Sequence, residues 1–246
     1  MSARSNDPPY TDFPSICVMG TTAKALQLIR LDERPAATYI SSGMETDILT
    51  APRGRPREFC VDTALAAALR VFWTKGYEGA SLTDLTDAMG ITRPSLYAAF
   101  GNKEALFRKA LDLYEHDKLA YVSNALEAPT ARGVAERMLG GALDLQTTGS
   151  DPKGCLGVIS SVACGTEAQS IKAEVVARQA SSHAALLRRF EQAKADGDFP
   201  DHVDPEGLVR YLTAVGQGLC IQAGNGASPE DLERIVDTTL GLWPGR

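Results

Sequence analysis

The sequence predicts an all-α protein in which an N-terminal three-helix helix-turn-helix domain precedes a larger helical domain. Three observations predict it. Apolar residues recur at helical spacing from Glu58 to the C-terminus. Glycines punctuate that pattern at short intervals, and no alternating apolar–polar run of useful length interrupts it. The segment 81–100, SLTDLTDAMGITRPSLYAAF, holds two short helical stretches about one Gly-Ile turn.

Each element follows from its residues. Val61, Leu65, Leu69 and Phe72 form one apolar face of a first helix, ended by Gly76 and Gly79. Ser81 opens the second and has the spacing of a capping box with Asp84. Leu85, Ala88 and Met89 supply its expected buried face, and Gly90 stops it in the left-handed turn that glycine favours. Thr92 is the expected N-cap of the third helix. Pro94 is tolerated in its first turn, where an N–H has no intrahelical partner. Leu96 and Phe100 point inward, and Gly101-Asn102 breaks the chain before a fourth helix that runs from Lys103 to about Tyr121. Further helices are expected over 131–147, 154–165, 168–196, 205–223 and 229–243.

Residues 1–51 read differently. Pro8, Pro9, Pro14, Pro35 and Pro52 punctuate or border a Ser-, Thr- and Asp-containing stretch without a sustained period, which predicts a mostly disordered extension. Met44 is a candidate alternative start. Residues 52–101 are then the helix-turn-helix domain and 102–246 the larger helical domain.

The chain has 246 residues, 44% hydrophobic and 23% charged, enough to bury a sizeable core. No transmembrane run and no secretory signal pattern are present. Five widely spaced cysteines argue against a disulfide framework and fit a reducing cytoplasm. No C-x-x-C occurs and His116, His183 and His202 are scattered, so no metal site is expected. The net charge of −6 conceals its distribution: residues 1–52 carry −2, 53–108 carry +2 and 109–246 carry −6. A phosphate-binding module needs a local basic face, and only the middle segment provides one.

The second helix of the Gly-turn pair projects its start and outer face, a shape that fits a major groove. Thr92, Arg93, Ser95, Tyr97, Ala98 and Ala99 are its expected exposed residues, with Pro94 shaping its start and Ser81 opening the preceding helix. Arg93 can reach a guanine edge or a phosphate, and Tyr97 can donate its hydroxyl to a phosphate. Lys103 sits where its own charge and a helix N-terminus both favour phosphate. Arg53, Arg55 and Arg57 form a basic arm suited to an adjacent minor groove, or alternatively a solvated linker. A helix pair with a glycine turn also occurs in helical proteins that never touch DNA.

The run GRPREF followed by ALRVFWTKGYEGASLTDLTDAMGITRPSLYAAFGNKEALF resembles the N-terminal domain of the TetR/AcrR family of bacterial transcriptional regulators. The resemblance rests on Phe72, Lys75, Gly76 and Tyr77, on Gly90-Ile91, on Leu96-Tyr97 with Phe100, and on Lys103-Glu104 with Leu106-Phe107. Gly154–Ala168 and the stretch DPEGLVRYLTAVGQGLCIQAGNGAS resemble the C-terminal domain of one subgroup. Thr86 departs from the usual Ala beside the turn, and Pro94 and Ala98-Ala99 depart at the reading helix. The resemblance implies a cytoplasmic, ligand-responsive homodimer that binds double-stranded operator DNA, as a repressor released by a small-molecule or thiol-reactive inducer. It places the dimer contact in about 205–243, where Ala214, Gly216 and Gly218 allow close packing; ordinary intrachain core is the alternative there.

The expected inducer pocket lies between helices of the larger domain, with candidate lining residues Met138, Leu145, Cys155, Ile159, Cys164, Arg178, Gln179 and His183. The polar 178–183 stretch would equally suit a solvated surface. Cys155, in the predicted first turn of a helix, is a candidate reactive thiol, or simply a small buried hydrophobe. No H-E-x-x-H, G-x-S-x-G, Walker A or G-x-G-x-x-G motif is present, so no cofactor is expected. The alternative function is an all-α small-molecule-binding protein or enzyme without DNA binding.

Overall fold

The computed structural model describes residues 59–162, 165 and 168–244. The expectations for the 1–51 extension, for Met44, for Arg53, Arg55 and Arg57, and for Cys164 lie outside the described residues. Among the described residues, ten α-helices follow one another: α1 Val61–Gly79, α2 Leu82–Met89, α3 Arg93–Phe100, α4 Lys103–Lys118, α5 Ala120–Leu126, α6 Ala131–Thr147, α7 Leu156–Val162, α8 Gln169–Ala195, α9 Pro205–Gly224 and α10 Pro229–Gly241.

Two hydrophobic clusters organise them. One joins α1–α4 through Phe72, Trp73, Leu85, Leu96, Phe107 and Tyr114, and extends to Leu156, Ile171 and Val175 of α7 and α8. The other joins α5, α6, α8, α9 and α10, with Phe190 edge-on to both Phe199 and Trp243 at 5.9 Å. Leu232 and Val236 of α10, and Trp243 just beyond its end, are therefore spent inside the chain. α4 lies at the centre of the first cluster, with Phe107 edge-on to Phe72 at 5.1 Å and Tyr114 edge-on to Trp73 at 4.7 Å.

Several local expectations need correction. The fourth helix does not run on to Tyr121: it ends at Leu119 (φ −106°, ψ 11°), and α5 restarts at once. No glycine or proline marks that break. In α2 the buried face uses Thr86 rather than the exposed Ala88. Thr86 tolerates burial because its hydroxyl donates to the Leu82 and Thr83 carbonyls at 2.9 and 3.1 Å. The helix expected over 154–165 begins only at Leu156.

Gly76 interrupts α1 with φ 70° and ψ 174°, a conformation essentially reserved for glycine. A Cβ there would meet Ile159 Cγ2 at 3.3 Å. Beside it, Gly154 is tied into a buried knot. Its carbonyl accepts from Trp73 Nε1 and Gln146 Nε2, each at 3.1 Å, and its N–H donates to Gln146 Oε1 at 2.7 Å. One loop residue thus ties α1 to α6.

Candidate nucleic-acid interface and effector cavity

The α2–α3 unit is rigidly built. Ser81 Oγ accepts from the Asp84 N–H and Asp84 Oδ2 accepts from the Ser81 N–H, both at 3.0 Å, so the short aspartate does close the capping box. Lys75 Nζ lies 2.6 Å from Asp84 Oδ1. That bond, with those from Ser81, holds the Asp84 carboxyl well below the usual carboxylate range. Gly90 turns the chain at φ 65°, donating to the Asp87 and Thr86 carbonyls. The Ile91 N–H also donates to Thr86 O, at 3.1 Å, which satisfies the end of α2.

α3 starts at its cap, Thr92, whose hydroxyl accepts from the Ser95 N–H; Pro94 is its second residue. Leu96 and Phe100 are buried and fix its roll. Thr92, Arg93, Pro94, Tyr97 and Ala98 face outward. Tyr97 is 47% exposed, high for so large a ring. Ser95 and Ala99 are half-buried rather than exposed: Ser95 Oγ lies 3.0 Å from Thr92 Oγ1, and Ala99 packs on the first cluster. Arg93 Nη2 donates to Thr83 Oγ1 at 2.9 Å, which steadies the guanidinium while leaving its other donors outward. Ser81 is exposed at the start of α2. Lys103 is half-buried, its Nζ 4.5 Å from the Tyr77 ring centre, and desolvation lowers its pKa against the opposing charge of Glu78. The structure thus brings Thr92, Arg93, Pro94 and Tyr97 onto one convex surface.

A cavity of about 190 Å³ opens among α4, α5, α6, α8 and α9 and the start of α7. Met138, Cys155, Arg178, Gln179 and His183 line it, so the polar stretch of α8 faces an interior rather than only solvent. Ile159 does not; it packs beneath Gly76. Leu145 does not either and joins the first hydrophobic cluster. Sequence reasoning missed Tyr114 and Tyr121 on one side, and Thr213, Gly216, Gln217 and Cys220 of α9 on the other. Gly216 was legible only as a small residue for helix packing.

The polar groups of the cavity are unequal. Arg178 is bound by Asp112 and Glu115 of α4 at 2.7 Å each and by Glu174 at 2.6 Å. Burial opposes its charge, but these carboxylates hold the guanidinium firmly protonated. Arg108 of α4 extends the network to Glu104 and Glu174. His183 Nε2 lies 3.1 Å from Glu206. At the opposite end, the fully buried Tyr114 hydroxyl has no partner in hydrogen-bond geometry, and burial pushes its pKa up. Cys155 stands one residue ahead of α7 rather than within it. Its thiol is held below the ordinary thiol range, first by the Cys220 thiol beside it and then, against burial, by Tyr114 and the backbone N–H groups of Val158 and Gly157. The same interaction pushes Cys220 up.

Among the described residues no helix is long and apolar enough to cross a membrane. Comparison with known proteins gives a consistent result. The family model described as bacterial regulatory proteins, tetR family, matches residues 64–110. The chain is 35% identical over 202 residues to the HTH-type transcriptional repressor ComR of Escherichia coli, covering 81% of this chain and 96% of that protein. It is 31% identical over 199 residues to the uncharacterized HTH-type transcriptional regulator YezE of Bacillus subtilis, covering 77% and 98%. Among solved structures, a cysteine-substituted form of the TetR family transcriptional regulator CifR, complexed with 26-base-pair double-strand operator DNA, is 39% identical. That match covers 78% of this chain and all of that one, with a TM-score of 0.73.

Proposed function

This chain belongs to the TetR family of bacterial regulatory proteins, and from that premise we propose that it is a homodimeric repressor released from operator DNA by a small molecule entering the α4–α9 cavity. The observation that carries the DNA-binding part is the convex surface of α3. Tyr97, Arg93 and Pro94 stand outward on a helix whose roll is fixed by buried Leu96 and Phe100. Thr92, Arg93, Tyr97, Ser81 and Lys103 are the DNA contacts. The complex of the similar regulator with operator DNA supports this reading.

The dimer contact is the outer stripe of α9. Tyr211 and Ile221 are 44% and 49% exposed, and Ala214 and Gly218 between them let a partner helix approach. A two-fold dimer would present its two α3 helices to major grooves about 34 Å apart or a multiple of that.

Release follows from α4, which carries Tyr114 and Glu115 at the cavity and Leu106 and Phe107 against α1 and α3. A ligand that fits only when α4 shifts would carry α1 with it and favour a dimer whose α3 helices no longer match their grooves. The division into a reading domain of 52–101 and a sensing domain of 102–246 is functional in this account, because the first hydrophobic cluster runs across it.

The test is a gel-shift titration against DNA upstream of the chain's own gene, with and without candidate inducers. Specific binding that is weakened by Arg93→Ala, with the dimer intact by sedimentation, supports the reading. Failure to retard any duplex beyond a scrambled control would return the chain to the class of small-molecule binders that never touch DNA.

A further inference from the structure

The fold brings two cysteines distant in sequence face to face. Cys155 stands just ahead of α7 and Cys220 lies near the end of α9, and both thiols border the effector cavity and a second cleft on the Trp73 side. Both residues border both spaces. The backbones beside them approach closely: a Cβ on Gly154 would stand 3.6 Å from the Cys220 carbonyl oxygen, and one on Gly224 3.9 Å from Gly154 Cα. The segment that carries Cys155 thus packs directly on the stretch of α9 that carries Cys220. Gln146 Nε2 lies 3.8 Å from Cys220 Sγ, and the unpartnered Tyr114 hydroxyl faces Cys155.

We propose that Cys155 and Cys220 form a dithiol that hydroperoxides close to an intrachain disulfide, and that closing it weakens operator binding. The roles differ. Cys155 is the attacking sulfur, because its neighbours favour the thiolate, and Cys220 is held protonated as the resolving group. In the first step the Cys155 sulfur attacks the distal peroxide oxygen. The O–O bond breaks, the alcohol leaves with the proton, and Cys155 becomes a sulfenic acid. In the second, the Cys220 sulfur attacks the sulfenic sulfur and water leaves. Overall, two thiols are oxidised to one disulfide and one hydroperoxide is reduced to an alcohol and water.

The consequence for DNA binding runs through Gly154, the neighbour of Cys155. Trp73 of α1 and Gln146 of α6 both bond to Gly154, so a covalent tie from Cys155 to α9 moves the anchor of α1. This regulatory half rests on the proposed operator-binding function; the disulfide itself does not.

The experiment uses the full reduced chain treated with stoichiometric tert-butyl hydroperoxide, then proteolysis without reductant and mass spectrometry. The expected product is a Cys155–Cys220 linked peptide pair that separates with dithiothreitol. Cys220→Ala is expected to accumulate a Cys155 sulfenic acid that dimedone traps. Both thiols remaining free after the peroxide is consumed, or Cys155 joined to Cys164 or to a second chain, overturns the inference. On operator DNA the oxidised chain is expected to bind about tenfold or more weakly, recovering on reduction. A linked chain that binds as well as the reduced one overturns the regulatory half. A reduced chain that binds no operator counts against the proposed function, while the peptide map still decides the disulfide.

Discussion

Replacing Gln146 by alanine tests the buried knot that links α1, α6 and the Cys155 segment. Gln146 is 3% exposed and supplies both an acceptor for the Gly154 N–H and a donor to its carbonyl. The carbonyl keeps Trp73 Nε1 after the substitution, but the N–H is left buried without a partner. An orphaned buried donor costs about 1–3 kcal/mol, and the lost methylene adds roughly 0.8. The expected destabilisation is therefore about 2–4 kcal/mol. For a chain of this size that corresponds to a fall in Tm of roughly 4–16 °C. Trp73→Phe removes one bond from a carbonyl that still has Gln146, about 0.5–1.5 kcal/mol, to which the smaller ring adds the cost of a cavity in the core. Urea titrations at fixed protein concentration give both values, since dimer dissociation would otherwise shift the midpoint. A Gln146→Ala change under about 0.5 kcal/mol, the range of an ordinary surface substitution, refutes the knot as a structural anchor.

Other expectations follow from the same geometry. Arg93→Ala should lower operator affinity by about 1–3 kcal/mol if its outward donors read a base, with the dimer unchanged by sedimentation and the loss read by fluorescence anisotropy. Thr92→Ala removes the α3 cap and should cost about 1 kcal/mol in denaturant titration. Asp84 has a depressed folded-state pKa, so its stabilisation is present above its unfolded value near 3.8 and lost as pH falls below that. Asp84→Asn should consequently be less stable than the parent at pH 6, with the gap closing on acidification below about pH 4. Iodoacetamide labelling of Cys155 should show an inflection below the ordinary thiol range, and Cys220→Ala should move that inflection upward. An unmoved inflection would mean that Cys220 does not set the acidity of its neighbour.

Elements with strong local signals were legible in the sequence. The α6 limits, Ala131–Thr147, match the expected span because Thr130 caps its start and the apolar period ends cleanly. The α2–α3 turn was readable because Gly90 and Thr92 carry the stereochemistry themselves. The α4–α5 break was not, since a change in ψ at Leu119 leaves no mark in residue type. The cavity was half legible: the polar run 178–183 and Cys155 stood out, whereas nothing in the sequence singled out Tyr114, Tyr121 or Cys220 for it. Their meeting is tertiary, and no periodicity within one helix reports which side chain faces another across a gap. Ile159 shows the converse. It was an expected lining residue, but its side chain packs instead against Gly76 and Gly154.

The ring of carboxylates around Arg178 has a consequence for what the protein would ignore. A guanidinium already gripped by Asp112, Glu115 and Glu174 has little attraction left for a fourth acid. Organic acids, abundant in any bacterium, would have to displace a resident partner to gain a foothold. The receptor end of this molecule is thereby expected to be deaf to metabolic carboxylates and to discriminate among uncharged compounds.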